Sequence, residues 1–222
     1  MNTPIKIHPS ILCADHGKLA DEIRNITNAG ADYFHVDVMD GSFAPNFGCG
    51  TEIVKCIKTH TATPIDVHLM VDNPSKHIRL FRDLGADIIT FHPEADKQPA
   101  RTLAEIRNCG ALPGIAINPG TSVETVKELL PLCGHVLAMT VNPGFGGQAF
   151  LDHTLKKIEA LAALSKQLGF SLCVDGGVSA GNIRQLAHMG VTNFVVGSAL
   201  FSQEDYSKAI SELRATAIFP HR

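Results

Sequence analysis

Three short stretches carry residue types that could do chemistry together. His35-Val36-Asp37-Val38-Met39-Asp40-Gly41 places His35, Asp37 and Met39 at alternate positions. Asp66-Val67-His68-Leu69-Met70 sets His68 and Met70 in step, and Val174-Asp175-Gly176-Gly177 ends an apolar run on a carboxylate. Alternate side chains of a strand share a face, so His35, Asp37 and Met39 point one way while Val36 and Val38 point the other. His35, Asp37, His68 and Asp175 make a set of two imidazoles and two carboxylates, suited to Zn²⁺, Fe²⁺, Mn²⁺ or Co²⁺. Each of them alone reads as a hydrogen-bonded core histidine or a strand-end cap. All four on inward-facing positions of neighbouring strands point to one divalent metal, because buried charges need partners or a cation.

A second chemistry is suggested by glycine. Asn142-Pro143-Gly144-Phe145-Gly146-Gly147-Gln148 has three glycines that allow successive backbone N–H groups to turn toward an anion. Asp175-Gly176-Gly177 and Gly197-Ser198 would expose further amides. Any one of these could be an ordinary tight turn, but three at one end of a barrel point to phosphate binding. Met39, Met70 and Met139 fall at strand ends, where they read either as adaptable core filler or as an apolar collar shielding a reactive intermediate from water. The segment from Gly41 to Gly50 is long for a βα connection and reads as a lid. His92 and Glu94 read as loop polarity rather than as supports of the metal set.

The elements that must position these residues repeat. Short β-branched runs near 5–12, 33–38, 65–70, 88–92, 112–117, 136–141, 171–174 and 193–197 read as strands. Amphipathic patterns near 17–29, 51–59, 74–84, 97–109, 122–131, 152–168, 180–189 and 204–215 read as helices. Gly30, Gly85, Gly110 and Gly190 stand where a helix must stop before the next strand. Eight βα units argue for one α/β domain over residues 1–222, a closed (β/α)₈ barrel. A doubly wound open sheet fits less well, since it usually has fewer strands.

Composition narrows the function. The chain has 222 residues, 45% of them hydrophobic, which suffices for a large core. A net charge of −3 with no basic run argues against a nucleic-acid partner. No apolar stretch approaches the ~20 residues of a membrane span, and the first residues lack a signal-peptide pattern. Six cysteines without a C-x-x-C pair read as free thiols of a reducing compartment. A soluble cytoplasmic protein is expected.

The segments quoted above, together with Pro9-Ser10-Ile11-Leu12 and Met139-Thr140-Val141 ahead of the glycine loop, closely resemble the ribulose-phosphate 3-epimerase family. The resemblance runs across nearly the whole chain with its motifs in order. It implies a TIM barrel, one divalent metal per subunit, and interconversion of D-ribulose 5-phosphate and D-xylulose 5-phosphate. By position it implies that His35, Asp37, His68 and Asp175 hold the metal and that Asp37 and Asp175 are the acid/base pair. Ser10 and His68 would contact the substrate. Gly144, Phe145, Gly146, Gly147, Gly176, Gly177, Gly197 and Ser198 would surround its phosphate, and Met39, Met70 and Met139 would shield the ene-diolate. A homo-oligomer, dimer or hexamer, is implied as well. The chain departs from the family's usual residues at Cys13 (commonly Ser), at Cys173 (commonly Glu) and along Phe47-Gly48-Cys49-Gly50. Phe91-His92-Pro93-Glu94 resembles the allulose-6-phosphate 3-epimerase branch, which acts on a six-carbon sugar. A barrel decarboxylase would want a strand-end lysine, and a non-catalytic sensor would be expected to lose a ligand; neither pattern is present.

Overall fold

Along each strand, the alternation of aliphatic and chemical residues becomes the outside and the inside of a barrel. The computed structural model describes residues 4–218. The strands are β1 (Lys6–Pro9), β2 (Phe34–Met39), β3 (Ile65–Met70), β4 (Ile88–Phe91), β5 (Leu112–Ile117), β6 (His135–Met139), β7 (Ser171–Asp175) and β8 (Asn193–Val196). All ladders are parallel, in the order β1-β8-β7-β6-β5-β4-β3-β2. A parallel bridge between Ser10 and His35 brings β1 round to β2. Around the sheet lie α1 (Leu19–Asn28), α2 (Thr51–His60), α3 (Ile78–Asp83), α4 (Pro99–Asn108) and α5 (Val123–Val126). They are followed by α6 (Leu155–Leu168), α7 (Ile183–Met189), α8 (Ser198–Phe201) and α9 (Tyr206–Ile218). The architecture is the expected (β/α)₈ barrel. No described helix is long and apolar enough to cross a membrane.

The core has two parts. Outward-facing Ile7, Val36, Val38, Val67, Ile89, Ile115, Val136, Val174 and Phe194 pack against helix residues such as Ile23, Ile57, Ile106 and Leu161. Inside the barrel a smaller apolar group, Ala116, Leu137, Met139, Val141, Cys173 and Val195, occupies one sector. Much of the remaining interior is polar, with His8, His35, Asp37, Asp66, His68, Thr90, His135 and Asn193 all buried. Strands covered on both faces are the rule in parallel sheets; a polar inner face is what marks this one.

Several element boundaries differ from the sequence reading. β1 stops at Pro9 and a 3₁₀ turn over Ile11–Cys13 follows, so the expected strand end near residue 12 is lost. The helix expected over 122–131 shortens to α5 plus a 3₁₀ turn at Leu130–Leu132, since Pro131 has no N–H to offer the carbonyl four residues earlier and its ring crowds that carbonyl. The short α8 between β8 and α9 has no counterpart in the sequence reading. Gly30, Gly85, Gly110 and Gly190 all have positive φ after a helix, the conformation that glycine reaches without strain.

Two of those helix stops carry a further device. In Gly30-Ala31-Asp32 and Gly85-Ala86-Asp87, the aspartate accepts an N–H near the start of a strand. Asp32 Oδ2 accepts from Ile7 N (2.8 Å) and Arg214 Nη2 (2.6 Å). Asp87 Oδ2 accepts from Ile65 N (2.9 Å) and Lys58 Nζ (3.0 Å). The contacts of Asp32 tie α9 to β1 where the barrel closes. Asp32→Ala would leave a buried backbone donor unpaired, a cost of about 1–3 kcal/mol. Chemical denaturation is expected to show that loss, and Asp32→Asn, which keeps an acceptor oxygen, to recover most of it.

Candidate active site and metal centre

β2 and β3 set the site by register. His35 pairs with Asp66 and Asp37 with His68 across the ladder, so all four point inward at two successive levels. At the upper level, Asp37 Oδ1 lies 3.1 Å from His68 Nδ1 and 3.2 Å from His35 Nε2. Its other oxygen accepts a 2.6 Å hydrogen bond from Ser10 Oγ at the end of β1. Asp175, ending β7, brings Oδ2 to 3.9 Å from His35 Nε2 and 4.0 Å from His68 Nδ1. One donor atom from each of His35, Asp37, His68 and Asp175 lies within 4.8 Å of all the others.

This cluster fits a divalent cation on its own geometry. His35 Nε2 is buried and has no hydrogen-bond partner, an orphaned donor atom aimed at the two carboxylates. Two imidazole nitrogens and two carboxylate oxygens suit Zn²⁺, Fe²⁺, Mn²⁺ or Co²⁺.

The two aspartates differ in proton affinity. Burial raises the Asp37 carboxyl, but the His35 and His68 imidazoles beside it, 3.2 and 3.1 Å away, outweigh it and hold the group well below the usual carboxylate range. The Asp175 carboxyl is pushed up to about 6, by burial first and by the charge of Asp37 next. Its imidazole neighbours stand too far off for hydrogen bonds, and their charges offset only part of the rise.

The remaining expected site residues gather round one cleft at the C-terminal mouth of the barrel. Ser10, Met39, Met70, Met139, Gly144, Phe145, Gly146, Gly147, Gly176, Gly177, Gly197 and Ser198 all line it, beside Asp37 and Asp175. Met39 and Met70 pack with Ala44 beneath the 41–50 loop, while Met139 belongs to the apolar sector inside the barrel. Several glycines here leave no room for a side chain, Gly177 and Gly197 among them. A Cβ on Gly177, at φ +64°, would lie 2.7 Å from Phe150 N, and one on Gly197 would lie 2.7 Å from Cys13 Sγ. The 41–50 and 142–148 loops are joined by a 2.7 Å hydrogen bond from Asn46 Nδ2 to the Gly144 carbonyl.

Other polar groups lie where the sequence reading does not put them. His92 is not loop polarity. It is fully buried, with Nε2 2.9 Å from His68 Nε2 and Nδ1 3.7 Å from Glu94 Oε2. Burial drives its imidazole down to about 4, so it stays neutral beside His68. His68 is itself fully buried and reaches the cleft only through the cluster. Asp66 escapes the sequence reading, although it shares its strand face with His68 and Met70. The period of two that marks those residues marks it as well. Lys157, from α6, donates to the Asn118 carbonyl and to that of Pro119 (2.9 Å), so this lysine near a strand end is held by carbonyls.

Comparison with known proteins agrees with this geometry. Residues 6–201 match the Ribulose-phosphate 3 epimerase family. The ribulose-phosphate 3-epimerase of Synechocystis sp. is 42% identical over 218 residues, covering 96% of this chain and 95% of that protein. That of Bacillus subtilis is 40% identical, with 96% and 99% covered. That of Helicobacter pylori is 45% identical, with 95% and 97% covered. Among solved structures, KGPDC from Streptococcus mutans has a TM-score of 0.72 at 13% identity, covering 96% of this chain and 97% of that one. That likeness concerns the fold alone. The identity to the epimerases extends over nearly the full length of both partners in each comparison, and the chain therefore belongs to the ribulose-phosphate 3-epimerase family and is an epimerase.

Proposed function

We propose that the protein interconverts D-ribulose 5-phosphate and D-xylulose 5-phosphate by two-base proton transfer at C3. The observation that carries this reading is the pair Asp37 and Asp175: two carboxylates beside one cleft, on β2 and β7, that converge on the same cluster. Inverting C3 of a 2-ketose means removing a proton from one face and returning one to the other. A single carboxylate cannot serve both faces. Asp37, held ionised, is suited to accept the proton, and Asp175, with its raised affinity, is suited to supply one. For the reverse reaction the two exchange roles.

The other residues bind, orient and exclude water. Ser10 Oγ fixes the rotamer of Asp37 through its 2.6 Å hydrogen bond. Backbone amides at Gly144–Gly147, Gly176, Gly177, Gly197 and Ser198 would hold the phosphate, whose remote binding energy positions C3 between the carboxylates. Met39, Met70 and Met139 supply an apolar wall that carries no exchangeable proton, so protonation of the ene-diolate is left to the aspartates. A divalent cation held by His35, Asp37, His68 and Asp175 would supply Lewis-acid stabilisation of the negative charge developing on the sugar oxygens. A cytoplasmic setting, supported by six free thiols, and a homo-oligomeric assembly belong to the same proposal.

The substrate is tested by proton NMR of the metal-loaded protein in D₂O, with D-ribulose 5-phosphate and D-allulose 6-phosphate in separate samples. Deuterium is expected at C3, with rapid appearance of xylulose 5-phosphate from the pentose. Faster turnover of the hexose phosphate would move the protein to the allulose branch. Asp175→Asn, in metal-saturated protein, is expected to lower kcat about 10²–10⁴-fold while one epimer still exchanges its C3 proton. Near-normal turnover by that variant would rule out a two-carboxylate mechanism. The metal reading has its own test in thermal unfolding. Zn²⁺, Mn²⁺ or Co²⁺ at about 100 times its Kd is expected to stabilise the protein by about 2.7 kcal/mol, and His68→Ala to remove most of the resulting rise in Tm.

A further inference from the structure

We propose that Asp66 is a positioning residue of the metal centre, fixing His35 in the tautomer whose Nε2 lone pair faces the cluster; the inference rests on the metal reading above. Asp66 is fully buried on β3, one level below the cluster, and does not line the cleft. Contact with substrate therefore cannot account for it. Its Oδ2 lies 3.0 Å from His35 Nδ1. An ionised carboxylate only accepts, so the His35 proton sits on Nδ1 and a neutral ring keeps its lone pair on Nε2. That Nε2 is the buried atom without a hydrogen-bond partner, 3.2 Å from Asp37 Oδ1.

Asp66 is in turn held in place from β1 and β8. The same Oδ2 lies 3.0 Å from His8 Nδ1, and His8 Nε2 lies 3.1 Å from Asn193 Oδ1. The Asn193 amide is anchored by its own 2.8 Å hydrogen bond to Thr192 Oγ1. The His8 ring stacks on Tyr33 with centroids 4.4 Å apart, which limits its tilt. Strands β1, β2, β3 and β8 thus converge on the orientation of one imidazole. The second histidine of the cluster is treated differently. His68 presents Nδ1 to the carboxylates, and behind it stands a second imidazole, His92, where His35 has a carboxylate. A carboxylate partner raises the basicity of a ligating imidazole as well as fixing its tautomer.

The test measures metal affinity by chelator competition in wild type, Asp66→Asn and Asp66→Ala. Ser171→Ala serves as a control because it removes a 2.8 Å contact to His135 inside the same barrel without touching His35. Affinity is expected to fall about ten- to a hundred-fold in Asp66→Ala, by less in Asp66→Asn, and not in Ser171→Ala. Imidazole ¹⁵N shifts of Zn²⁺-loaded wild type, which need no variant to fold, are expected to show His35 protonated at Nδ1 and metal-bonded at Nε2. The proposal falls if His35 carries its proton on Nε2, if Asp66→Ala binds metal as tightly as wild type, or if Ser171→Ala loses as much. Wild type that binds none of the four metals would overturn the metal reading itself, and this inference with it.

Discussion

The structure depends on how a barrel interior carries ionised groups away from water. Asp37, Asp66 and Asp175 all project inward, and desolvation alone would drive each toward its neutral form. Asp37 and Asp66 escape that fate because imidazoles and a hydroxyl stand within hydrogen-bond reach. Asp37 meets Ser10, His35 and His68, and Asp66 meets His8 and His35. His35 lies between the two carboxylates and serves both levels. Each of these carboxylates has more than one partner, so the loss of one weakens the compensation of a buried charge without abolishing it. The polar layers therefore act as one connected network, with His35 as its shared member.

The cleft above them is shaped by loops that are themselves tied down. The carboxylate of Asp40, just beyond β2, accepts from the backbone of Ser42 (2.9 Å), Phe43 (3.1 Å) and Asp72 (2.8 Å). The start of the 41–50 loop is thereby bound to the loop after β3. Asn46 carries the connection on to Gly144, and Thr140 Oγ1 donates to the carbonyls of Asp175 (2.9 Å) and Gly176 (2.6 Å). The chain of contacts runs from β2 round to β7, so the glycine segments of the rim are fixed relative to both Asp37 and Asp175. Phe47 and Phe145 project outward at this rim, 79% and 54% exposed.

Much of this is legible in the sequence because the signals are local. The alternation in His35-Val36-Asp37-Val38-Met39 needs only the two-residue period of a strand, and the glycine stops at Gly30, Gly85, Gly110 and Gly190 need only the geometry of a helix end. The place of His92 is not legible. One histidine followed by proline and glutamate looks like a polar turn until β3 and β4 are laid side by side. Asp66 is hidden in another way: its period is visible, but nothing in one dimension tells the floor of a barrel from its mouth. The short helix α8 and the truncated helix at α5 depend on tertiary packing and on Pro131, against which a helical period over ten residues is a weak prior.

The difference in proton affinity between Asp37 and Asp175 follows from position, since their chemistry is the same. Asp37 sits within a strand pair whose register places His68 directly opposite, and the barrel closure delivers Ser10 to its other oxygen. Asp175 is the last residue of its strand, with a glycine pair after it and imidazoles 3.9 and 4.0 Å away. One carboxylate is flanked by a hydroxyl and two imidazoles, and the other is desolvated beside a negative charge. A two-base epimerase needs one carboxylate free to take a proton while the other carries one, and the unequal surroundings of Asp37 and Asp175 set which of them holds the proton at rest. Placing one aspartate inside a ladder and the other at a strand end achieves the asymmetry with a single residue type, which is why the end of β7 matters as much to the proposed chemistry as the histidines that face it.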